Sequence, residues 1–400
     1  MKKIVIFGAG NIGRSFIAQL FSKAGYEIVF IEIDSIIIQA LNKYHRYRIE
    51  IKDAHSETIW VENARGINSK NYEKVRFEIS TADVIATALG SKVLPDIYED
   101  IACGLLLRRK KKKENPLNII ICENLRNAKE EVYCGLKKYL PPDFPEDEMP
   151  GLIETSIGKM VPIMRKEEKK HDPLLIYAEA FNTLILDKKG FKGEIPDVKG
   201  FDLKENMKAY VDRKLFIHNL GHSTVAYLGY VLNSDLKYIW EAVAVPEIEQ
   251  TARAAMWESG YALIKEYPLD FNENNQKEHI EDLLKRFKNR FLNDTIYRVG
   301  RDITRKLEPE DRLVGAIKLD RKHGVNYDNT AKAIASAVLF RAKDESGKLF
   351  HKDEIFVKNI YSEGIEKVLT DVCKFNKVSD SEIIEKINLF HEQILESGIF

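Results

Sequence analysis

Lys214, Asn219 and His222 bring an amine, an amide and an imidazole into one short stretch, Lys214-Leu215-Phe216-Ile217-His218-Asn219-Leu220-Gly221-His222. The flanks, residues 207–213 and 223–230, mix apolar and polar side chains without proline, which predicts a helix. At about 100° per residue, Asn219 lies roughly 140° and His222 roughly 80° round the axis from Lys214, so the three share one broad face. A lysine whose ammonium is destabilised by desolvation or by nearby positive charge serves as a general base near neutral pH. The amide NH2 of Asn219 can hold a substrate oxygen that gains negative charge, and His222 can fix the lysine or bond that same oxygen. A solvated lysine beside two ordinary polar neighbours has the same spacing, and His218, about 40° from Lys214, is not excluded by the wheel.

The N-terminal stretch predicts what such a base would serve. Ile4-Val5-Ile6-Phe7 has the apolar, partly β-branched pattern of a buried parallel strand. It leads straight into Gly8-Ala9-Gly10-Asn11-Ile12-Gly13, a G-x-G-x-x-G between strand and helix. Residues 14–23 supply the helix, with Ile12, Phe16, Ile17 and Leu20 on an inward stripe, and Gly25 stops it. The first glycine then permits a tight turn, the second lets backbone approach a pyrophosphate, and the third lets helix and strand pack closely. A second strand, Ile28-Val29-Phe30-Ile31, ends at Glu32, where a carboxylate hydrogen-bonds an adenosine ribose and repels a 2′-phosphate. The expected cofactor is NAD, held by Phe7, Gly8, Ala9, Gly10, Asn11, Ile12, Gly13, Arg14 and Glu32. Residues 83–90 read as a further strand whose closing turn carries Ala88 under the cofactor. Residues 117–121 predict another, leading to Cys122-Glu123-Asn124. Asn124 thus falls at the carboxyl end of a parallel strand, where open α/β sheets place their ligands; a loop-capping asparagine has the same signature.

Residues 160–163 and 174–181 are apolar enough to extend that sheet, with an exposed turn over 165–170. Glycines and prolines between Gly190 and Gly200 predict a boundary, giving a dinucleotide-binding domain over 1–195 and a mostly helical domain over 196–400. Long helices are expected over 235–265, 278–291 and 328–341. Between them Arg298, Arg301, Arg305 and Lys306 form a positive cluster suited to gripping a phosphorylated substrate. Surface pairing with Glu308, Glu310 and Asp311 is the alternative.

The whole composition supports this picture by exclusion. Four hundred residues exceed one ordinary core and predict two domains. Lys plus Arg and Asp plus Glu number 62 each, so no global field recruits nucleic acid or a membrane surface. The basic run over 108–113 then reads as a solvated helix end. Cys103, Cys122, Cys134 and Cys373 lack any C-x-x-C spacing, and no H-E-x-x-H occurs, so neither zinc nor a disulfide framework is expected. The apolar run before Gly8 is too short for a signal peptide, and no run approaches a bilayer's thickness, which predicts a cytoplasmic protein. The oligomeric state is left open by the sequence.

Lys214, Asn219 and His222 reproduce the Lys, four residues, Asn, two residues, His signature of the polyol-specific long-chain dehydrogenases, which the chain resembles over most of its length. Further likeness lies in Gly8 to Arg14, Pro116 to Ile120, Cys122-Glu123-Asn124, Asp172-Pro173-Leu174, Phe191-Lys192-Gly193, Arg213 to Phe216 and Val299-Gly300-Arg301 with Arg305-Lys306-Leu307. The resemblance is strongest to members acting on mannitol 1-phosphate. It implies a Rossmann-type domain, a helical domain, an active site between them and no catalytic metal. It also implies that Lys214 is the base, that Asn124 and Asn219 stabilise the alkoxide, and that His222 orients substrate and lysine. The small-molecule partner would be a polyol or sugar phosphate; a sister polyol dehydrogenase, a hexuronate reductase or a non-catalytic NAD sensor are the competing readings.

Overall fold

The computed structural model describes residues 1–53, 56–111, 115–162, 164, 168 and 171–397. It divides into two compact units, Met1–Val211 and Asp212–Phe400.

The first unit is an α/β domain. Its strands are β1 (Lys3–Phe7), β2 (Glu27–Glu32), β3 (Arg46–Ile51), β4 (Glu57–Glu62), β5 (Ala64–Asn68), β6 (Val84–Thr87), β7 (Asn118–Ile121), β8 (Gly151–Ser156), β9 (Ile176–Ala178), β10 (Leu184–Asp187) and β11 (Phe201–Lys204). Eight form one sheet in the order β11-β10-β8-β7-β6-β1-β2-β5. Every neighbouring pair in it is parallel except β8 with β10. Side chains alternate across a strand, so Ile4 and Ile6 enter one apolar core while Val5 and Phe7 enter the other. Both faces are covered, which is why these strands read as continuous apolar runs. β1 lies between β2 and β6, so the chain order reverses there and a crevice opens at their carboxyl ends.

The sheet departs from expectation in two places. Residues 174–181 contribute β9, which joins not the main sheet but a separate one of order β4-β3-β9. Residues 160–162 form no strand, and residue 163, with most of the expected turn over 165–170, lies outside the described residues, as do Lys112 and Lys113 of the basic run. Apolarity alone does not say which edge a strand will join. The first unit also runs past residue 195, because β11 pairs with β10 through Leu184 to Phe201 and its successors.

In the second unit every described regular element is helical. The helix Leu220–Leu232 is its axis, with Leu220, Val225, Tyr227 and Leu228 fully buried. Tyr227 donates its hydroxyl to the Gly300 carbonyl at 2.9 Å, tying that axis to the short helix Ile296–Gly300. A buried bond of this kind contributes roughly 1 kcal/mol net. The helix expected over 235–265 is two, Ile239–Val243 and Pro246–Glu266, because Pro246 cannot donate to the preceding turn and instead starts a new helix. The other two are Glu273–Phe287 and Asp328–Val338.

Candidate active site

In the first unit the three glycines of the turn after β1 do different work. Gly8 adopts φ +96°, and a Cβ there would lie 2.6 Å from the Ala88 carbonyl oxygen. A Cβ on Gly13 would overlap the Gly8 carbonyl oxygen, so this position cannot carry a side chain without moving the turn. Gly10 has no such neighbour within 4 Å except Ala88 O at 4.0 Å, so its Cα faces open space where a phosphate can approach. The helix that follows begins with one widened turn, in which the Ala18 N–H donates to Gly13 O five residues back.

Glu32 anchors this turn from β2. One carboxylate oxygen accepts from Ala9 N at 2.8 Å, the other from Ile33 N at 2.7 Å and Asp34 N at 3.2 Å. A carboxylate has about four acceptor positions, so one is left for a ribose hydroxyl. Arg14 is committed elsewhere. Its buried guanidinium donates to Ala9 O at 2.6 Å and Leu174 O at 2.8 Å, bracing the turn from the protein side. Glu123 clamps the facing loop, accepting from Leu89 N and Gly90 N at 3.0 and 2.8 Å. Ala88 therefore sits in a fixed bend beside Gly8. Asn124 follows Glu123 directly beyond β7 and is solvent-exposed.

In the second unit the lysine stretch is not a regular α-helix. Lys214–Asn219 form a π turn between the helices Met207–Arg213 and Leu220–Leu232, with Leu220 N–H donating to Leu215 O five residues back. A wider turn narrows the angle between residues five apart, which a regular wheel would set about 140° apart. Lys214 and Asn219 are thereby drawn closer together on one face. Lys214 is half-buried, and burial, followed by the positive charge of Arg312, lowers its ammonium to about 8. Arg312 is nearly buried and pairs with Asp311 at 2.8 Å. Its segment packs closely on the π turn, since a Cβ on Gly315 would meet the Phe216 ring at 2.7 Å. The Asn219 carboxamide has no hydrogen-bond partner among the described residues and is partly solvent-accessible, so a ligand can take it.

The two histidines separate clearly. His218 is buried, and desolvation holds it well below the usual histidine range, with Arg286 next in effect. His222 stacks on Phe287, centroids 4.7 Å apart at 8°, and places Nε2 2.9 Å from Asp294 Oδ2. Burial lowers His222 and Asp294 opposes that shift.

The basic cluster is largely spent on the protein itself. Arg298 Nε donates to Asp294 Oδ1 at 2.6 Å. Arg305 pairs with Asp302 at 2.7 Å and Asp311 at 2.9 Å. Lys306 is buried and donates to the Val299 and Arg301 carbonyls. Arg301 differs: its guanidinium lies 5.5 Å from the Tyr297 ring and 5.4 Å from Phe350, with no carboxylate partner among the described residues. Sequence reasoning missed Asp294, Phe287 and Arg312, since each reaches the lysine turn from a distant segment. The one available hint was the density of acids and bases over 294–312.

A family model described as the mannitol dehydrogenase Rossmann domain matches residues 2–200, and one described as the mannitol dehydrogenase C-terminal domain matches residues 206–395. A D-sorbitol dehydrogenase solved in substrate-free form is 15% identical, with TM-score 0.79 over 99% of this chain and 93% of its own. The Pseudomonas fluorescens mannitol 2-dehydrogenase, solved as a ternary complex with NAD and D-mannitol, is 14% identical, with TM-score 0.73 over 99% and 92%. At such identities the two structures establish a common fold. With both domain models matching and together spanning nearly its whole length, the chain belongs to the mannitol dehydrogenase family.

Proposed function

We propose that the chain is an NAD-dependent polyol dehydrogenase that interconverts mannitol 1-phosphate and fructose 6-phosphate. The observation that carries the reading is Lys214, half-buried beside Arg312 with its ammonium lowered to about 8. A neutral amine at that position takes the proton of a substrate hydroxyl as the carbon loses hydride. NAD, when bound, supplies the hydride acceptor. The Asn219 NH2 holds the oxygen as negative charge develops, and Asn124 is its proposed partner from the first unit. Glu32, with its remaining acceptor position, favours NAD over NADP because a 2′-phosphate would meet a carboxylate.

Arg301 supports the phosphorylated substrate, being the member of the basic cluster with no carboxylate partner among the described residues. The internal pairing of Arg298, Arg305 and Lys306 favours a second reading, an unphosphorylated polyol, and the sorbitol and mannitol named for the two structural neighbours are in line with it. NADH absorbance with fructose 6-phosphate and fructose, offered separately at neutral pH, distinguishes them. Oxidation with the phosphate ester alone is expected, together with a KM for it that rises in Arg301→Ala. Turnover of fructose alone moves the protein to the second reading, and an unchanged KM removes Arg301 from the phosphate site.

A further inference from the structure

His222 Nε2 and Asp294 Oδ2 are buried atoms 2.9 Å apart at an angle outside hydrogen-bonding geometry, and neither has a hydrogen-bond partner among the described residues, so a small rotation of the ring would complete the bond between them. Asp294 is itself well held. It follows Asn293, whose φ is +51°; its carbonyl accepts from Ile239 N at 2.9 Å, and its second carboxylate oxygen takes Arg298 Nε at 2.6 Å. Phe287 fixes the plane of the imidazole by stacking. The groups facing His222 are Asp294, Arg298, Arg312 and His218, and Arg298 already neutralises the carboxylate. A protonated ring would add unmatched charge beside two guanidiniums, so the ring is neutral and carries one hydrogen. An unprotonated Nε2 would leave two electron-rich atoms 2.9 Å apart with no hydrogen between them, so the hydrogen belongs on Nε2. Nδ1 has no protein partner among the described residues and is not sealed from solvent.

We propose that Asp294, braced by Arg298, is a positioning residue that fixes His222 as a hydrogen-bond acceptor, with Nε2–H toward Asp294 and the Nδ1 lone pair reserved for a substrate hydroxyl. The inference rests on the dehydrogenase reading above and sharpens it. A ring with its only hydrogen directed at Asp294 cannot donate to the developing alkoxide, so that task falls to Asn219. His222 instead takes a hydroxyl adjacent to the reacting carbon, which makes it a reader of substrate hydroxyl pattern.

The test is ¹⁵N NMR of histidine-labelled full-length protein, the His222 signal being assigned by its loss in His222→Gln. The wild type is expected to show the Nε2–H tautomer. Asp294→Asn turns an amide NH2 toward Nε2 while its oxygen keeps Arg298, so the ring is expected to switch to Nδ1–H. With that switch, kcat/KM for the polyol should fall roughly ten- to hundredfold, and Asp294→Glu should restore part of both. An Nδ1–H wild type, or Asp294→Asn with unaltered tautomer and kinetics, overturns the proposal. Should Asp294→Asn not fold, the wild-type spectrum decides the tautomer alone, and Arg298→Met, which removes the brace, is expected to weaken the polyol KM. Wild-type protein inactive on every polyol and ketose but showing Nε2–H sinks the dehydrogenase reading and leaves the tautomer assignment standing. Active protein showing Nδ1–H does the reverse.

Discussion

The glycine turn after β1 and the lysine turn at the head of the axial helix each contain a π turn, Gly13–Ile17 and Lys214–Asn219, yet they are built in opposite ways. In the glycine turn the polar groups are tied off internally: Arg14 braces Ala9 O and Glu32 holds Ala9 N. What it offers a ligand is backbone and empty space at Gly10. The lysine turn offers side chains instead, and their environment comes from far along the chain through Asp294, Phe287 and Arg312. Asn219 and His222 Nδ1 are left open. A site that binds through backbone can be finished locally, whereas a site that must hold an amine near neutrality needs surroundings that no local stretch provides.

The contrast is tested most strongly by Lys214→Ala, which removes the proposed base and should lower turnover by roughly two to four orders of magnitude while NAD affinity is kept. Stopped-flow NADH formation and a separate NADH titration read the two effects. Normal turnover in this variant would sink the mechanism.

The glycines provide a smaller and more selective effect. Gly13→Ala drives a Cβ into the Gly8 carbonyl, so both thermal stability and cofactor affinity should drop. Gly10→Ala meets nothing in the protein nearer than 4.0 Å, so Tm should hold while NADH binding weakens. Equal Tm losses in the two variants would show that the division of labour among the glycines is misread.

The smallest expected change is in pH dependence. Polyol oxidation needs the neutral amine, so kcat/KM should rise with pH and level off above about 8; ketose reduction needs the ammonium and should fall across the same range. Arg312→Ala removes a positive neighbour, which raises the lysine and moves both inflections to higher pH. An inflection that stays in place shows that burial alone sets it.

How much of this was legible can be seen residue by residue. Gly8, Gly10, Gly13 and Glu32 were identifiable because the turn, its helix and the acid at the end of β2 lie within one βαβ unit, where spacing and geometry are nearly the same statement. The mostly parallel sheet and the helical second half were legible for a related reason, since period and apolarity report local structure directly. Lys214, Asn219 and His222 could be singled out but not arranged. The wheel assumed a regular helix, and the π turn that narrows the angle between Lys214 and Asn219 leaves no mark in residue type. The cluster over 298–306 was visible as charge, but whether a guanidinium is spent or available depends on which carboxylate folds against it.

The sequence by itself determined the α/β unit with its glycine turn and the helical unit after it, because each follows from short-range steric and periodic constraints; Lys214 it could only single out, as a residue type at a suggestive spacing and through a family resemblance. Only the tertiary structure decided that β9 joins a second sheet, that Arg14 is a brace, that Arg301 rather than its neighbours has no acid beside it among the described residues, and that Asp294 and Arg312 lie close to the lysine turn. Those outcomes depend on desolvation and on charge pairing between distant segments, energies that exist only once the chain has closed on itself.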